Sequence, residues 1–193
     1  MVGSELLTRL RSRDPEFLSS LVYEHGRPLY RAARGMGFRD DEAEDMVQDV
    51  FITFLSTLDR FEGRSQLRTW LFGILYHKAK ERRRKGERED REDSIDAVFE
   101  ARFDSRGNWS APLPDPLRLV QSSELGDAIA QCLDGLPHSQ RSAFVLREME
   151  GLDTDEICKI LDATITYVGV LMHRARNRLR ECLEARGWGG QEQ

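Results

Sequence analysis

No apolar run in this chain approaches the roughly 20 residues that a membrane span requires, and the amino terminus carries no signal-peptide core. The expectation is a cytoplasmic protein without membrane insertion. Cysteine is scarce: Cys132, Cys158 and Cys182 are odd in number and too widely spaced for a metal knuckle. Each falls on the apolar face of a helical pattern, where a thiol behaves as a small hydrophobe, so all three are expected as buried, reduced side chains. Phosphate-binding glycine loops and nucleophile constellations are missing, and His25, His77, His138 and His173 are scattered. These absences argue against an enzyme and supply no ligand set for a metal or a cofactor. Strand-like alternation and internal repeats are also lacking, which leaves an all-α chain.

A surplus of positive charge is missing as well. The formal net charge is -5, the wrong sign for neutralising phosphates. The distribution answers that objection. Between positions 60 and 88 stand Arg60, Arg64, Arg68, Lys78, Lys80, Arg82, Arg83, Arg84, Lys85 and Arg88, opposed only by Glu62, Glu81 and Glu87. The amino-terminal part carries Asp40, Asp41, Glu42, Glu44, Asp45 and Asp49. The middle carries Glu89, Asp90, Glu92, Asp93, Asp96, Glu100 and Asp104. Acidic and basic segments are thus segregated.

At 193 residues with 39% hydrophobic content the chain can bury one modest core or two small ones, and the organisation favours two. Asp14 before Pro15 reads as an N-cap and first-turn proline, followed by Phe17, Leu18, Leu21 and Val22 at helical spacing. Leu29, Tyr30, Ala33 and Met36 form a second stretch that Gly35 and Gly37 are placed to end. From a cap at Asp40, the series Ala43, Met46, Val47, Val50, Phe51, Phe54, Leu55 and Leu58 defines a long amphipathic helix. A charged loop over 59–64 contains Gly63. Ser65 is positioned to cap a further helix with the buried stripe Leu67, Trp70, Leu71, Ile74 and Ala79.

The first helical domain therefore occupies 1–86. Over 87–122 charge alternates, and then Gly107, Asn108, Trp109, Pro112, Pro114 and Pro116 crowd together, a composition suited to a flexible linker. Helical spacing resumes with Leu125, Ile129 and Leu133, then from Pro137 through Ala143, Phe144, Leu146 and Met149 to a stop at Gly151. A second helical domain occupies 123–187, leaving 188–193 as a tail.

Within that domain, residues 153–182 read as helix, tight turn, helix, the outline of a DNA-reading helix-turn-helix. Asp153 with Glu156 resembles a capping box, and Ile157, Ile160 and Leu161 form the inward stripe of the first helix. On the second, Val168, Leu171, Met172, Ala175 and Leu179 share a packing face. At about 100° per residue the opposite face presents Thr166, Val170, His173 and Asn177, with Arg174 at its margin, as candidate base readers. Arg176, Arg178 and Arg180 lie further round or further along, where phosphates are the natural ligand. A solvated basic face on an ordinary bundle is the alternative reading.

The helix after Ser65 carries Thr69, Phe72, Tyr76, Lys80 and Arg83 opposite its apolar stripe. Aromatic rings stack on unpaired bases for roughly 1–3 kcal/mol each while nearby cations hold the strand, so this face suits melted DNA. Packing of Phe72 and Tyr76 against a neighbouring helix is the competing explanation. On the helix from Asp40, the residues Asp45, Gln48, Asp49, Ile52 and Ser56 form an acidic and amide face around one apolar anchor, fit for a basic partner helix or for plain solvation.

The stretch AEDMVQDVFITFLSTLDRFEGRSQLRTWLFGILYHKAKERRR, together with the helix-turn-helix and its HRARNRLRE ending, resembles the extracytoplasmic-function branch of bacterial RNA polymerase sigma factors. The resemblance covers nearly all of the chain outside the linker. It implies a promoter-specificity subunit whose first domain binds the coiled coil of the polymerase beta-prime subunit and the melted minus-10 element. The second domain would bind the beta flap and the minus-35 element, and an anti-sigma protein would hold the factor inactive. Carried over by position, Asp45, Gln48 and Asp49 fall in the polymerase-docking helix, residues 60–69 in the minus-10 loop and helix start, and residues 166–176 in the minus-35 reader. Joined with the faces read above, Asp45, Gln48, Asp49, Ile52 and Ser56 belong to polymerase docking. Arg60, Arg64, Arg68, Thr69, Phe72, Tyr76, His77, Lys80, Arg83 and Arg84 belong to the minus-10 surface. Thr166, Tyr167, Val170, His173, Arg174, Arg176, Asn177 and Arg178 belong to the minus-35 reader.

This chain departs from the family pattern at several of those places. His77 and Glu81 stand where an Asn and an Asp are usual, Gly169 and Val170 replace a basic residue and a Ser, and Asp162 and Ala163 occupy a turn where Gly is frequent. The linker is long, and its Trp109 has the character of an anchor. Two other functions fit parts of the sequence: a sigma-like decoy for an anti-sigma protein, and a free-standing helix-turn-helix regulator. The second leaves the acidic and aromatic faces of the first domain without a role.

Overall fold

The structure is a computed structural model that describes residues 2–86 and 123–188; the expected linker with Trp109, and residues 189–193, lie outside the described residues. Its first part contains helices α1 (Val2–Arg11), α2 (Pro15–Gly35) and α3 (Asp40–Ser56), a 3-10 turn (Leu58–Arg60), and α4 (Leu67–Gly86). The second contains α5 (Ser123–Asp134), α6 (His138–Phe144), a π-helical turn (Val145–Met149), α7 (Thr154–Leu161) and α8 (Ile165–Ala185). Every element among the described residues is helical.

Local chemistry explains most boundaries. The Asp14 carboxylate accepts the Glu16 backbone N–H, and Pro15 takes the first helical position, where its missing donor costs nothing. The two stretches expected over 15–36 are a single helix that runs through Pro28. A continuous buried stripe of Leu21, Leu29, Ala32 and Ala33 outweighs the local loss of one ladder bond. Helix α1 was not expected at all, although Leu6, Leu7 and Leu10 are helically spaced and Leu10 is fully buried. In α3, Asp40 is the first helical residue instead of the cap, and the Glu42 carboxylate accepts the Arg39 N–H at 2.9 Å. Helix α4 opens at Leu67, two residues beyond Ser65.

The helix-turn-helix forms as its sequence dictates. Asp153 accepts the Glu156 N–H at 2.7 Å while Glu156 accepts the Asp153 N–H at 3.0 Å, a reciprocal capping box. The turn is closed by Asp162 at φ 51, a left-handed conformation that Asp tolerates better than most residues. Thr164 then caps α8 by accepting the Tyr167 N–H. Between α6 and α7 the Val145 carbonyl accepts the Glu150 N–H, five residues on, so the chain widens into a π-turn before Gly151.

Helices α2, α3 and α4 pack around Met46, Val50, Phe54, Phe61, Leu71 and Leu75, with Phe61 edge-on to both Phe54 and Trp70. Helices α6, α7 and α8 enclose Leu146, Leu152, Ile157, Ile160 and Ala175. One correction concerns cysteine. Cys132 and Cys182, expected as reduced thiols, are joined in a disulfide between α5 and α8, and only Cys158, half-buried on α7, is free. The pairing depends on two helices 50 residues apart in sequence lying side by side, which spacing alone does not reveal. The two helical regions also lie against each other, α7 on α4 and the π-turn on α2, and their buried residues form one continuous cluster.

Candidate nucleic-acid interface

Helix α3 turns its apolar stripe inward through Ala43, Met46, Val50 and Phe54, which leaves Asp45, Gln48, Ile52 and Ser56 on the outside. Ile52 is 65% exposed, a large apolar side chain ringed by acids and amides. Asp49 is half-buried and pairs with Arg82 of α4 at 3.0 Å. The expected face exists as one surface, with Asp49 at its margin tying α3 to α4.

Helix α4 divides in two. Its first half carries Thr69, Phe72 and Tyr76 on one face, and all three are buried, at 4%, 4% and 6% exposure. The second helical region covers them. The Thr69 hydroxyl hydrogen-bonds Glu156 of α7 at 2.7 Å, and the Tyr76 ring stacks parallel on His138 of α6 with centroids 5.7 Å apart. Arg68, beside them, reaches the Glu150 carbonyl and lies 3.7 Å from the Glu156 carboxylate. The second half is open. His77, Lys80, Glu81 and Arg84 line a shallow cleft of about 520 Å³ in which two cations face one carboxylate. Arg83 is committed internally, donating to the Met36 carbonyl at 2.9 Å and lying over the Phe38 ring. Arg60 and Arg64 are exposed in the approach to α4, with Arg64 paired to Glu62.

Helix α8 hides the other end. Ile165, Thr166 and Tyr167 are exposed at its amino terminus, and Val170 is half-buried one turn later. His173, expected on the outer face, is buried and lies 3.3 Å from the Asn177 amide nitrogen. The packing stripe is therefore wider than its aliphatic residues indicate. Arg176 donates to Glu148 of the π-turn, and Arg180 donates to the Asn177 side chain at 2.6 Å. Arg174 and Arg178 are half-buried. A Cβ built on Gly169 meets nothing within 4 Å, so this glycine answers to no steric demand in the chain.

The contact between the regions contains residues that sequence reasoning missed. Arg141, with its side chain 5% exposed, donates Nε to the Gly35 carbonyl at 2.5 Å and Nη1 to Asp134 at 2.7 Å. Burial lowers its pKa, and the Asp134 carboxylate opposes that shift. A Cβ on Gly37, at φ 100, would collide with Arg141 and Arg83, so glycine there serves both backbone and neighbour. On the other flank Arg31 of α2 pairs with Glu150 at 3.1 Å. Burial raises the Glu150 carboxyl pKa, with Arg31 pulling the other way. Arg31, Arg141 and Glu150 carry no local sequence signal for this contact, because their partners across it lie about a hundred positions away. No group of side chains among the described residues could hold a metal ion, and no described helix is long and apolar enough to cross a membrane.

Two family models match: sigma-70 region 2 over residues 21–89 and sigma-70 region 4 over residues 126–179. Among curated proteins, a probable RNA polymerase sigma factor of Haemophilus influenzae is 32% identical over 153 residues, covering 74% of this chain and 77% of the relative. The ECF RNA polymerase sigma-E factor of Escherichia coli K12 is 32% identical over 138 residues, 72% of either chain. Among solved structures, CnrH in complex with the cytosolic domain of CnrY superposes with a TM-score of 0.68 at 25% identity, covering 96% of this chain and 99% of that one. The sigma factor RpoE bound to the anti-sigma factor NepR from Bartonella quintana gives 0.63 at 26% identity, covering 86% and 96%. Two sigma regions in the family's order, with relatives 32% identical over nearly three quarters of the chain, place this chain in the ECF branch of the RNA polymerase sigma factors.

Proposed function

We propose that this chain is a dissociable promoter-specificity subunit that docks on core RNA polymerase, reads the minus-35 and minus-10 elements, and captures bases as the duplex opens. It performs no bond chemistry and acts in the cytoplasm. The observation that carries this reading is the presence of sigma-70 regions 2 and 4 on one chain. Region 2 belongs to a unit over 1–86 and region 4 to a unit over 123–187.

In this reading the α3 face of Asp45, Gln48, Asp49, Ile52 and Ser56 meets the beta-prime coiled coil. Arg60 and Arg64 with the cleft of His77, Lys80 and Arg84 engage the minus-10 strand from the outset. Thr69, Phe72 and Tyr76 join when the second unit moves off them. Thr166, Tyr167 and Val170 at the start of α8 read minus-35 bases, with Arg174 and Arg178 toward phosphates. His173, Arg176 and Asn177 support that helix from inside. The second unit also contacts the beta flap. Both similar solved structures are complexes with a second protein, one an anti-sigma factor, which supports an anti-sigma partner here as well.

The test is transcription from a promoter library by purified full-length protein with core enzyme. Discrete, factor-dependent start sites are expected, and Asp45→Lys with Ile52→Asp should abolish them by preventing docking. Absence of affinity for core enzyme at low ionic strength would overturn the reading.

A further inference from the structure

Cys132 and Cys182 lie with Cα atoms 5.8 Å apart, close enough to bridge without backbone movement. Their position matters more than their pairing. Cys132 is two residues from Asp134, the last residue of α5, and its carbonyl accepts the Gly135 N–H in the turn that leads into α6. That turn delivers His138, which stacks on Tyr76, and Arg141, which reaches the Gly35 carbonyl across the contact between the regions. Asp134 supplies the charge that allows the Arg141 guanidinium to be buried there. Among the described elements α5 packs chiefly against α8, where the disulfide and the neighbouring Gln131–Arg186 hydrogen bond hold it. Without the covalent tie the end of α5 is held by Leu133 and Leu136 packing and the Gln131–Arg186 hydrogen bond, and the largely exposed Asp134 is placed less firmly. Arg141 would then be a buried cation less firmly paired with its carboxylate, a costly arrangement that separation of the two regions relieves.

We propose that Cys132 and Cys182 form a reversible thiol–disulfide couple whose oxidised state holds the second region over the Thr69, Phe72 and Tyr76 face, and whose reduction releases it. The switch concerns the minus-10 surface and so rests on the functional reading above. Cys182, the more exposed residue of the pair, is the point of exchange, since Cys132 is 3% exposed. In oxidation the Cys182 thiolate attacks a low-molecular-weight disulfide, forms a mixed disulfide and expels one small thiol. The Cys132 thiolate then attacks the Cys182 sulfur and expels the second. Two electrons pass to the small disulfide, and the two cysteine protons end on the two released thiols. A dithiol reverses both steps. Cys158 does not compete: it sits apart on α7, and burial raises its pKa, which keeps it a thiol.

The experiment uses the full chain equilibrated in glutathione buffers from oxidising to reducing. Alkylation with mass spectrometry counts thiols, hydrogen exchange reports cover on residues 69–76, and anisotropy of a labelled single-stranded oligonucleotide reports binding. One reactive thiol is expected when oxidised and three when reduced. Exchange over 69–76 should rise, and oligonucleotide affinity should increase, by roughly tenfold on reduction. Cys182→Ser should resemble the reduced protein in both buffers, and Asp134→Asn should expose 69–76 even when the disulfide is intact. Three reactive thiols in the oxidising buffer would overturn the couple. A formed disulfide with unchanged exchange over 69–76 would overturn its hold on closure. Redox-dependent exchange with no oligonucleotide binding in either state would leave the switch standing and remove the DNA reading instead.

Discussion

Helices α4 and α8 are nearly equal in length and rich in cations, yet they hide opposite halves. The beginning of α4 lies under the second region and its end is open, whereas α8 exposes its beginning and packs its middle. The difference shows that a basic helix does not present its cations uniformly. Backbone carbonyls and carboxylates within the chain compete for guanidinium groups, and they win wherever a neighbouring helix lies close. Arg83 and Arg176 are held in this way, while Arg60, Lys80 and Arg84 face outward. A DNA surface assembled from this molecule therefore draws on the open half of each helix first.

The largest expected effect on this asymmetry comes from Arg141. Arg141→Ala removes the donor to Gly35 and the partner of Asp134 and should weaken closure by about 2 kcal/mol, since charged hydrogen bonds of this kind are worth about 1.5–3 kcal/mol. Hydrogen exchange over 69–76 would register it as accelerated exchange confined to the first half of α4. Unchanged exchange would mean that the two halves differ for some other reason.

Tyr76 and His138 sharpen the comparison further. Their stack is worth about 0.5–1.5 kcal/mol, so either alanine substitution should loosen closure to a similar degree. Their effects on a single-stranded minus-10 oligonucleotide should diverge. His138→Ala uncovers the face and tightens binding, whereas Tyr76→Ala removes a stacking ring and weakens it. Equal affinities for the two variants would return Tyr76 to a purely packing role.

A smaller effect depends on pH. The Glu150 carboxyl is raised by burial, so the closed form holds its proton more readily than an open form in which the group is solvated. Closure is then fully favoured below the solvated value of 4.5 and weakens as pH rises through the raised one. Glu150→Gln should flatten that slope. The His25 contribution, a half-buried imidazole whose pKa burial lowers, remains in both curves and cancels in the difference. The smallest change expected is from Gly169→Ala. Open space around the site lets the substitution stabilise α8 by up to about 1 kcal/mol through helix propensity, read as a modest rise in Tm without any change in α4 exchange.

Much of this fold is legible in the sequence because its signals are local. The Asp14–Pro15 start, the α3 stripe and the Asp153–Glu156 capping box each involve residues within a few positions of one another. Helix α1 offered only Leu6, Leu7 and Leu10. The outer face of α3 was legible for the same reason, since a 17-residue amphipathic helix fixes its own outside. The covering of Thr69, Phe72 and Tyr76, the Cys132–Cys182 bridge and the Arg141 contact depend instead on partners 50 or more residues away. Periodicity set Thr69, Phe72 and Tyr76 on one face of α4, expected to be open to melted DNA; the structure buries that face, and periodicity cannot say which surface meets it. His173 illustrates a related blind spot: a half-polar ring satisfied by Asn177 one turn on is as acceptable inside as out.

The π-turn over Val145–Met149 carries a consequence of its own. One extra residue in that coil rotates Glu148 toward α8, where it meets Arg176, and brings Glu150 round to α2, where it meets Arg31. A regular α-helix would need different residues to serve both neighbours. Deleting a single position from this coil should therefore rephase everything downstream by about a quarter-turn. The wide turn thus acts as a gear tooth, meshing α8 on one side with α2 on the other.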